Sequence, residues 1–169
     1  FCSPVRQGSS PMNIFDRIKQ DHDAARTVIA ELKATEPHEA ERRQRLFDHL
    51  KLDMWSHHKV EEATFYAWLR QGEAMRGDAM EAYNEHHMAN GVFEELDTFP
   101  VNSEEWGMKF KALCELVEHH MKEEERDFFP EARKVIPPHV AEAMGAAFDT
   151  RKAAMLEAMQ PLETESSPV

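Results

Sequence analysis

Two histidine–glutamate pairs fall inside long stretches of helical periodicity: His57 with Glu61 in HHKVEEATFY (57–66), and His120 with Glu124 in HHMKEEERDFFP (119–130). A helix turns by about 100° per residue, so positions i and i+4 leave the same face. Two more histidines, His22 and His86, interrupt helical stripes where leucine would be ordinary. Imidazole nitrogen and carboxylate oxygen suit iron, manganese or zinc. A fold that turns these faces inward has to bring the six groups together around something that compensates them.

The chain is all-α in its patterning. It has 6 glycines in 169 residues and no long alternating run. A first helix is expected from Met12 to Ala34, broken by Thr35-Glu36-Pro37. A second spans Glu39 to Arg70 and ends at Gln71-Gly72; a third spans Met75 to Asp97, before Phe99-Pro100. A fourth starts from an N-cap at Ser103 and reaches Val135, with Pro130 expected to kink or break it. Pro137-Pro138 opens a fifth, running to Met159, whose Val140, Met144, Phe148, Met155 and Leu156 pack on the others. Short connections between long helices imply an up-down-up-down four-helix bundle with an additional C-terminal helix. The expected domain is residues 12–160, with 1–11 (FCSPVRQGSSP) a disordered leader or expression scar and 161–169 a disordered tail. Met12 is the expected native start.

Stripes of three- and four-residue steps decide which histidines face inward. The first is Phe15, Ile18, His22, Ala25, Ile29, Leu32. The second is Leu46, Leu50, Met54, His57, Glu61, Phe65, Trp68. Its shifted rival, Phe47, Lys51, Trp55, His58, Glu62, Tyr66, Leu69, would put a lysine in the core, so His57 and Glu61 are preferred. The third is Met75, Ala79, Ala82, His86, Ala89 or Asn90, Phe93, Leu96; the rival through His87 brings in Glu94. The fourth is Leu113, Val117, His120, Glu124, Phe128; the rival through His119 brings in Glu115 and Arg126.

Burying an unpaired carboxylate costs several kcal/mol, and each unsatisfied imidazole adds roughly 1–3 kcal/mol. A domain with about 5–15 kcal/mol of stability does not absorb six such groups uncompensated. A single histidine, or a single His-x-x-x-Glu, is more often an ordinary surface feature. Four coincident interior placements favour a bound cation pair. Four histidines and two carboxylates are too many for one tetrahedral zinc and suit two octahedral ions bridged by Glu61 and Glu124. His58, His87 and His119 are expected to flank the site or face solvent. His49, two turns before His57, stays open as an extra ligand or a hydrogen-bonding neighbour. Glu62 or Glu123 are the glutamates placed to bond ligand imidazoles, although 62, 123 and 125 are first of all solvated charge.

Composition removes other classes. Net charge is −12, which repels nucleic-acid phosphate and anionic lipid, so neither nucleic acid nor membrane is expected as a partner. No stretch approaches the roughly 20 apolar residues of a membrane span. Of the two cysteines, Cys2 lies in the leader and Cys114 in a core stripe. Without a CxxC pair, a disulfide framework or a signal peptide, the expected compartment is the cytoplasm. No HExxH is present, which argues against a zinc protease. No histidine has a carboxylate three residues before it, unlike the Glu-x-x-His of carboxylate-rich di-iron bundles.

IKQDHDAARTVIAEL (18–32), MWSHHKVEEATFYAWL (54–69), EHHMANGVFEEL (85–96) and VEHHMKEEERDFFPEARKV (117–135) together resemble the hemerythrin-like, or HHE cation-binding, family. The likeness covers about residues 12–135, and AMGAAFDTRKAAM (143–155) is similar to a C-terminal helix often found there. The resemblance implies two iron ions, bridged by carboxylates and an oxo or hydroxo group, with manganese or zinc as substitutes. His22, the pair His57 and Glu61, and the pair His120 and Glu124 match that family's ligands. Where oxygen carriers have a second histidine one turn after the first on the third helix, this chain has Asn90. Water, His49 or nothing fills that place, and an open position favours reactivity over oxygen storage. The implied function is binding or reaction with dioxygen, peroxide or nitric oxide; the alternative is a non-catalytic module for iron storage, donation or sensing. A protein partner stays unidentified, and a structural bundle with vestigial ligands is the third reading.

Overall fold

The computed structural model describes residues 12–159; the expected leader at 1–11, with Cys2, and the tail at 161–169 lie outside the described residues. Every element is helical: α1 (Ile14–Lys33), α2 (Ala40–Glu61), α3 (Ala67–Leu69), α4 (Arg76–Leu96), α5 (Glu104–Glu123), α6 (Phe129–Val135) and α7 (Pro138–Ala158). A π-helical turn, Glu62–Tyr66, joins α2 to α3, and a second, Glu124–Phe128, joins α5 to α6. Helices α1, α2–α3, α4 and α5–α6 form the up-down-up-down bundle, and α7 packs along α1 and α2. Among the described residues, no helix is long and apolar enough to cross a membrane.

Local chemistry sets the helix starts. The Asn13 side chain accepts from the Asp16 amide at 3.1 Å, and the Ser103 hydroxyl from the Trp106 amide at 3.1 Å, each satisfying an orphan donor of a first turn. Pro138 opens α7, where a missing N–H costs nothing. Pro130 does not break its helix. It lies in the first turn of α6, directly after the second π-turn has widened the spiral.

The core is split into two layers. One holds Ile14, Phe15, Ile18, Phe65, Tyr66, Phe129 and the inner face of α7. The other holds Ile29, Phe47, Leu50, Met54, Phe93, Trp106 and Leu113. His22, His57, Glu61, His86, His120 and Glu124 lie where the two layers meet along the bundle helices. The expected stripes of α1 and α4 are buried as read. Those of the second and fourth helices need correction. Phe47 replaces Leu46 in the core, Tyr66 and Leu69 join Phe65, and Phe129 is buried where Phe128 was expected. Two causes account for this. Each π-turn inserts one residue and rotates the downstream side chains by about 100°, and Phe47, upstream of the first, packs on Phe93 of α4 and Trp106 of α5.

Helix α7 docks by close approach. A Cβ on Gly145 would overlap the carbonyl oxygen of Met12, a backbone atom with nowhere to go. Gly145→Ala is expected to cost about 1–3 kcal/mol through overpacking, lowering the melting temperature by about 2–10 °C. Thermal denaturation of the purified variant checks this; an unchanged melting temperature would show that α7 is not seated against the start of α1.

Candidate metal centre

The six residues converge. His22, His57, Glu61 and His86 are 0 % exposed, Glu124 3 % and His120 5 %. Glu61 Oε2 lies 3.3 Å from His57 Nε2 and 3.4 Å from His86 Nε2. Glu124 Oε2 lies 3.4 Å from His22 Nε2 and 4.0 Å from His120 Nε2. His22 and His57 neighbour each other with ring centroids 5.2 Å apart; His86 and His120 do so at 4.6 Å. Each glutamate therefore stands between one member of each histidine pair.

The inward atoms are the unsatisfied ones. Among the described residues, His22 Nε2, His57 Nε2, both oxygens of Glu61 and Glu124 Oε2 are buried with no hydrogen-bond partner. Native interiors rarely leave such atoms unpaired. His86 Nε2 and His120 Nε2 face each other at 2.9 Å. Both nitrogens could serve one ion placed between them. The donor set and its orphaned atoms fit first-row transition metal ions.

The outward nitrogens are all held. His57 Nδ1 meets Asp21 Oδ2 at 2.9 Å, His86 Nδ1 meets Glu62 Oε1 at 3.3 Å, His120 Nδ1 meets Glu85 Oε2 at 2.6 Å, and His22 Nδ1 meets Glu125 Oε1 at 2.8 Å. Each carboxylate serves the histidine of the next helix, and the four bonds close a ring from α1 through α2 and α4 to α5 and back. A carboxylate on Nδ1 keeps the proton there and leaves Nε2 as an inward lone pair, the usual device of metal-binding histidines. Tyr66 adds an O–H that donates to Glu124 Oε1 at 2.6 Å, fixing that carboxylate from the first π-turn.

Several expectations change. His58 takes the first of the two places expected for it and flanks the site: it is buried, stacked on His86 with centroids 3.9 Å apart, and its Nδ1 meets Asn90 Oδ1 at 2.9 Å. Asn90 is thus engaged by His58 rather than by the centre. His49 is exposed, as are His87 and His119. Glu62 holds an imidazole as expected, but Glu123 pairs with exposed His119, and Glu125 takes the part considered for it. Asp21, Glu85 and Tyr66 were missed. A signal existed, because all four ring carboxylates sit next in sequence to one of the six: Asp21 before His22, Glu62 after Glu61, Glu85 before His86, Glu125 after Glu124.

Burial and mutual contact set the charges of the metal-free site. Burial lowers the His57 imidazole, yet Glu61 and Asp21 outweigh it and raise it from 6.5 to about 9. Burial drops His22 to about 4 against the pull of Glu125, and holds His58 and His86 well below 6.5. Glu124 is raised well above the carboxylate range by burial and by neighbouring Glu61, whereas protonated His57 keeps Glu61 low against its own burial. A cleft of about 340 Å³ reaches His120 and Glu124 from the surface, walled by Asp78, Glu81, Glu85, Glu123, Asp127 and Glu131.

Comparison with known proteins bears on family and fold. Residues 13–132 match the family model described as Hemerythrin HHE cation binding domain. A crystal structure of a hemerythrin HHE cation binding domain-containing protein from Mycobacterium kansasii superposes with a TM-score of 0.78, at 22 % identity over 87 % of this chain and 89 % of that one; the likeness is one of fold. A Nostoc sp. protein named a DNA nickase is 27 % identical over 154 residues, which are 89 % of this chain and 42 % of that protein. The chain spans less than half the length of that curated relative.

The charge pattern fixes a stability profile for the metal-free chain. His57, raised in the fold, contributes stability that is complete below pH 6.5 and lost as pH rises through about 9, about 3 kcal/mol in all. His22, lowered to about 4, works the other way: the unfolded chain takes its proton below 6.5, so stability falls as pH drops toward 4. Urea melts of metal-stripped protein are expected to give the highest midpoint near neutrality, with losses on both sides. No decline between pH 6.5 and 9 would mean that His57 is not charged in the empty site.

Proposed function

Because the chain belongs to the Hemerythrin HHE cation binding domain family, we propose that it is a non-heme di-iron protein that binds or reacts with dioxygen, peroxide or nitric oxide. The observation that carries this reading is the placement of Glu61 and Glu124, each between one histidine of the His22/His57 pair and one of the His86/His120 pair. His22 and His57 would hold one ion and His86 and His120 a second, with Glu61 and Glu124 within reach of both. Bound iron would supply redox chemistry that no side chain here provides. The chain's own residues bind and orient. The carboxylate ring aims the four Nε2 atoms, Tyr66 holds Glu124, and the apolar layers cover the site at both ends.

The acid-walled cleft favours small neutral ligands over anions, because its carboxylates repel negative charge. The same field, with a net charge of −12, argues against phosphate backbones. We therefore do not carry nicking over from the Nostoc relative, whose matched part is under half of that protein. Manganese or zinc would fit the same donors. A reducing compartment, the cytoplasm, suits the free, buried thiol of Cys114, which burial pushes up to about 12.

Elemental analysis of protein produced with iron supplied should give two irons per chain, with a near-ultraviolet band that changes on adding peroxide. Glu61→Ala and Glu124→Ala should each lower the iron content to one or fewer and abolish that band. Two irons with a spectrum indifferent to peroxide, dioxygen and nitric oxide would replace this reading by a storage or sensing module. Iron-free protein whose stability ignores both substitutions would remove the metal centre altogether.

A further inference from the structure

Lys152 is a buried cation that the centre's ligand set does not use. It lies on α7, outside the residues matched by the family model, and is 6 % exposed. Its Nζ donates to Asp21 Oδ2 at 2.6 Å and to Asp53 Oδ1 at 2.7 Å. Asp21 Oδ2 is the same atom that meets His57 Nδ1. The other ring carboxylates have either no cation within reach among the described residues, as at Glu85, or half-exposed ones: Arg26 for Glu125 and Lys59 for Glu62. Solvent screens those pairs, so they fix little. Beside Lys152, Phe148 of α7 is fully buried and packs on the His57 ring at 5.7 Å between centroids.

We propose that Lys152 is a positioning residue of the metal centre: through Asp21 it fixes the His57 imidazole, so that α7 is part of the site although it supplies no ligand. Asp21 has a second cation, Arg17, on its other oxygen at 2.6 Å. Without Lys152 the carboxylate is free to turn toward Arg17 and to release His57 Nδ1. The ring then opens at one bond, and the His22/His57 half of the site loses its aim while the His86/His120 half keeps its own carboxylates. Binding is reciprocal: whatever lifts α7 loosens metal, and metal in place holds α7 down.

This inference rests on the metal-centre reading but not on any redox activity, so cobalt(II) is a sufficient probe. Affinity is measured by competition with a chromophoric chelator for the parent, Lys152→Met, Asp21→Asn and the double variant, with the melting temperature of each metal-free chain alongside. Removing a neighbour that orients a ligand costs about 10–100-fold in metal affinity. Lys152→Met keeps the apolar stem and should weaken cobalt binding at least tenfold, as should Asp21→Asn. The double variant should be no weaker than the worse single one, since the two act as one unit. The cobalt absorption bands should change at one of two sites only. Effects that multiply, or Lys152→Met binding within twofold of the parent while melting lower, would make Lys152 merely structural and overturn the proposal. A parent that binds no cobalt would overturn the metal-centre reading with it. Lys152→Leu, which likewise removes the donor to Asp21, stands in if Lys152→Met does not fold and is held to the same cycle.

Discussion

Four carboxylate–imidazole hydrogen bonds, passed from each helix to the next, are the constraint on which this structure turns. Each bond ties two helices, and the set closes on itself. It also keeps every Nδ1 occupied, so the four imidazoles have one direction left in which to offer a lone pair. The interior point where those directions meet holds two glutamates and five unpartnered atoms. An interior so arranged is costly unless a cation compensates it.

The rest of the bundle serves that polar layer. Apolar side chains are gathered above and below it in separate clusters, so the hydrophobic driving force comes from both ends and the middle is left for chemistry. The two π-turns begin at or immediately after the two inward glutamates, Glu62–Tyr66 behind Glu61 and Glu124–Phe128 starting at Glu124 itself. Each widened turn brings an aromatic residue into the core one position later than α-helical spacing allows. One of them, Tyr66, thereby reaches Glu124 on the opposite helix. Wide turns of this kind recur at functional sites because they re-aim a side chain without breaking the helix.

His22, His86 and the two His/Glu pairs were legible because a helix repeats every 3.6 residues and a polar residue inside an apolar stripe stands out. Their outer partners were not legible in the same way. Asp21, Glu85 and Glu125 lie one step off the stripe, where a helix normally faces water, and this chain has 32 acidic residues to choose from. The place of His58, beside the site or toward solvent, stayed open for a related reason: the rule that a helix buries one face fails for α2, which is covered by its bundle neighbours and again by α7. Lys152 was hidden by its type, since a lysine four residues after Phe148 is ordinarily assigned to solvent.

Periodicity alone thus settled the helical class, the number of long helices and the inward face of each of the six residues, because those are properties of one helix at a time. Only the packed tertiary structure decided which carboxylate holds which imidazole, where the π-turns shift the register, and what α7 adds beside His57. Those depend on distances between segments up to 131 residues apart, as between Asp21 and Lys152, and no local pattern carries such a distance.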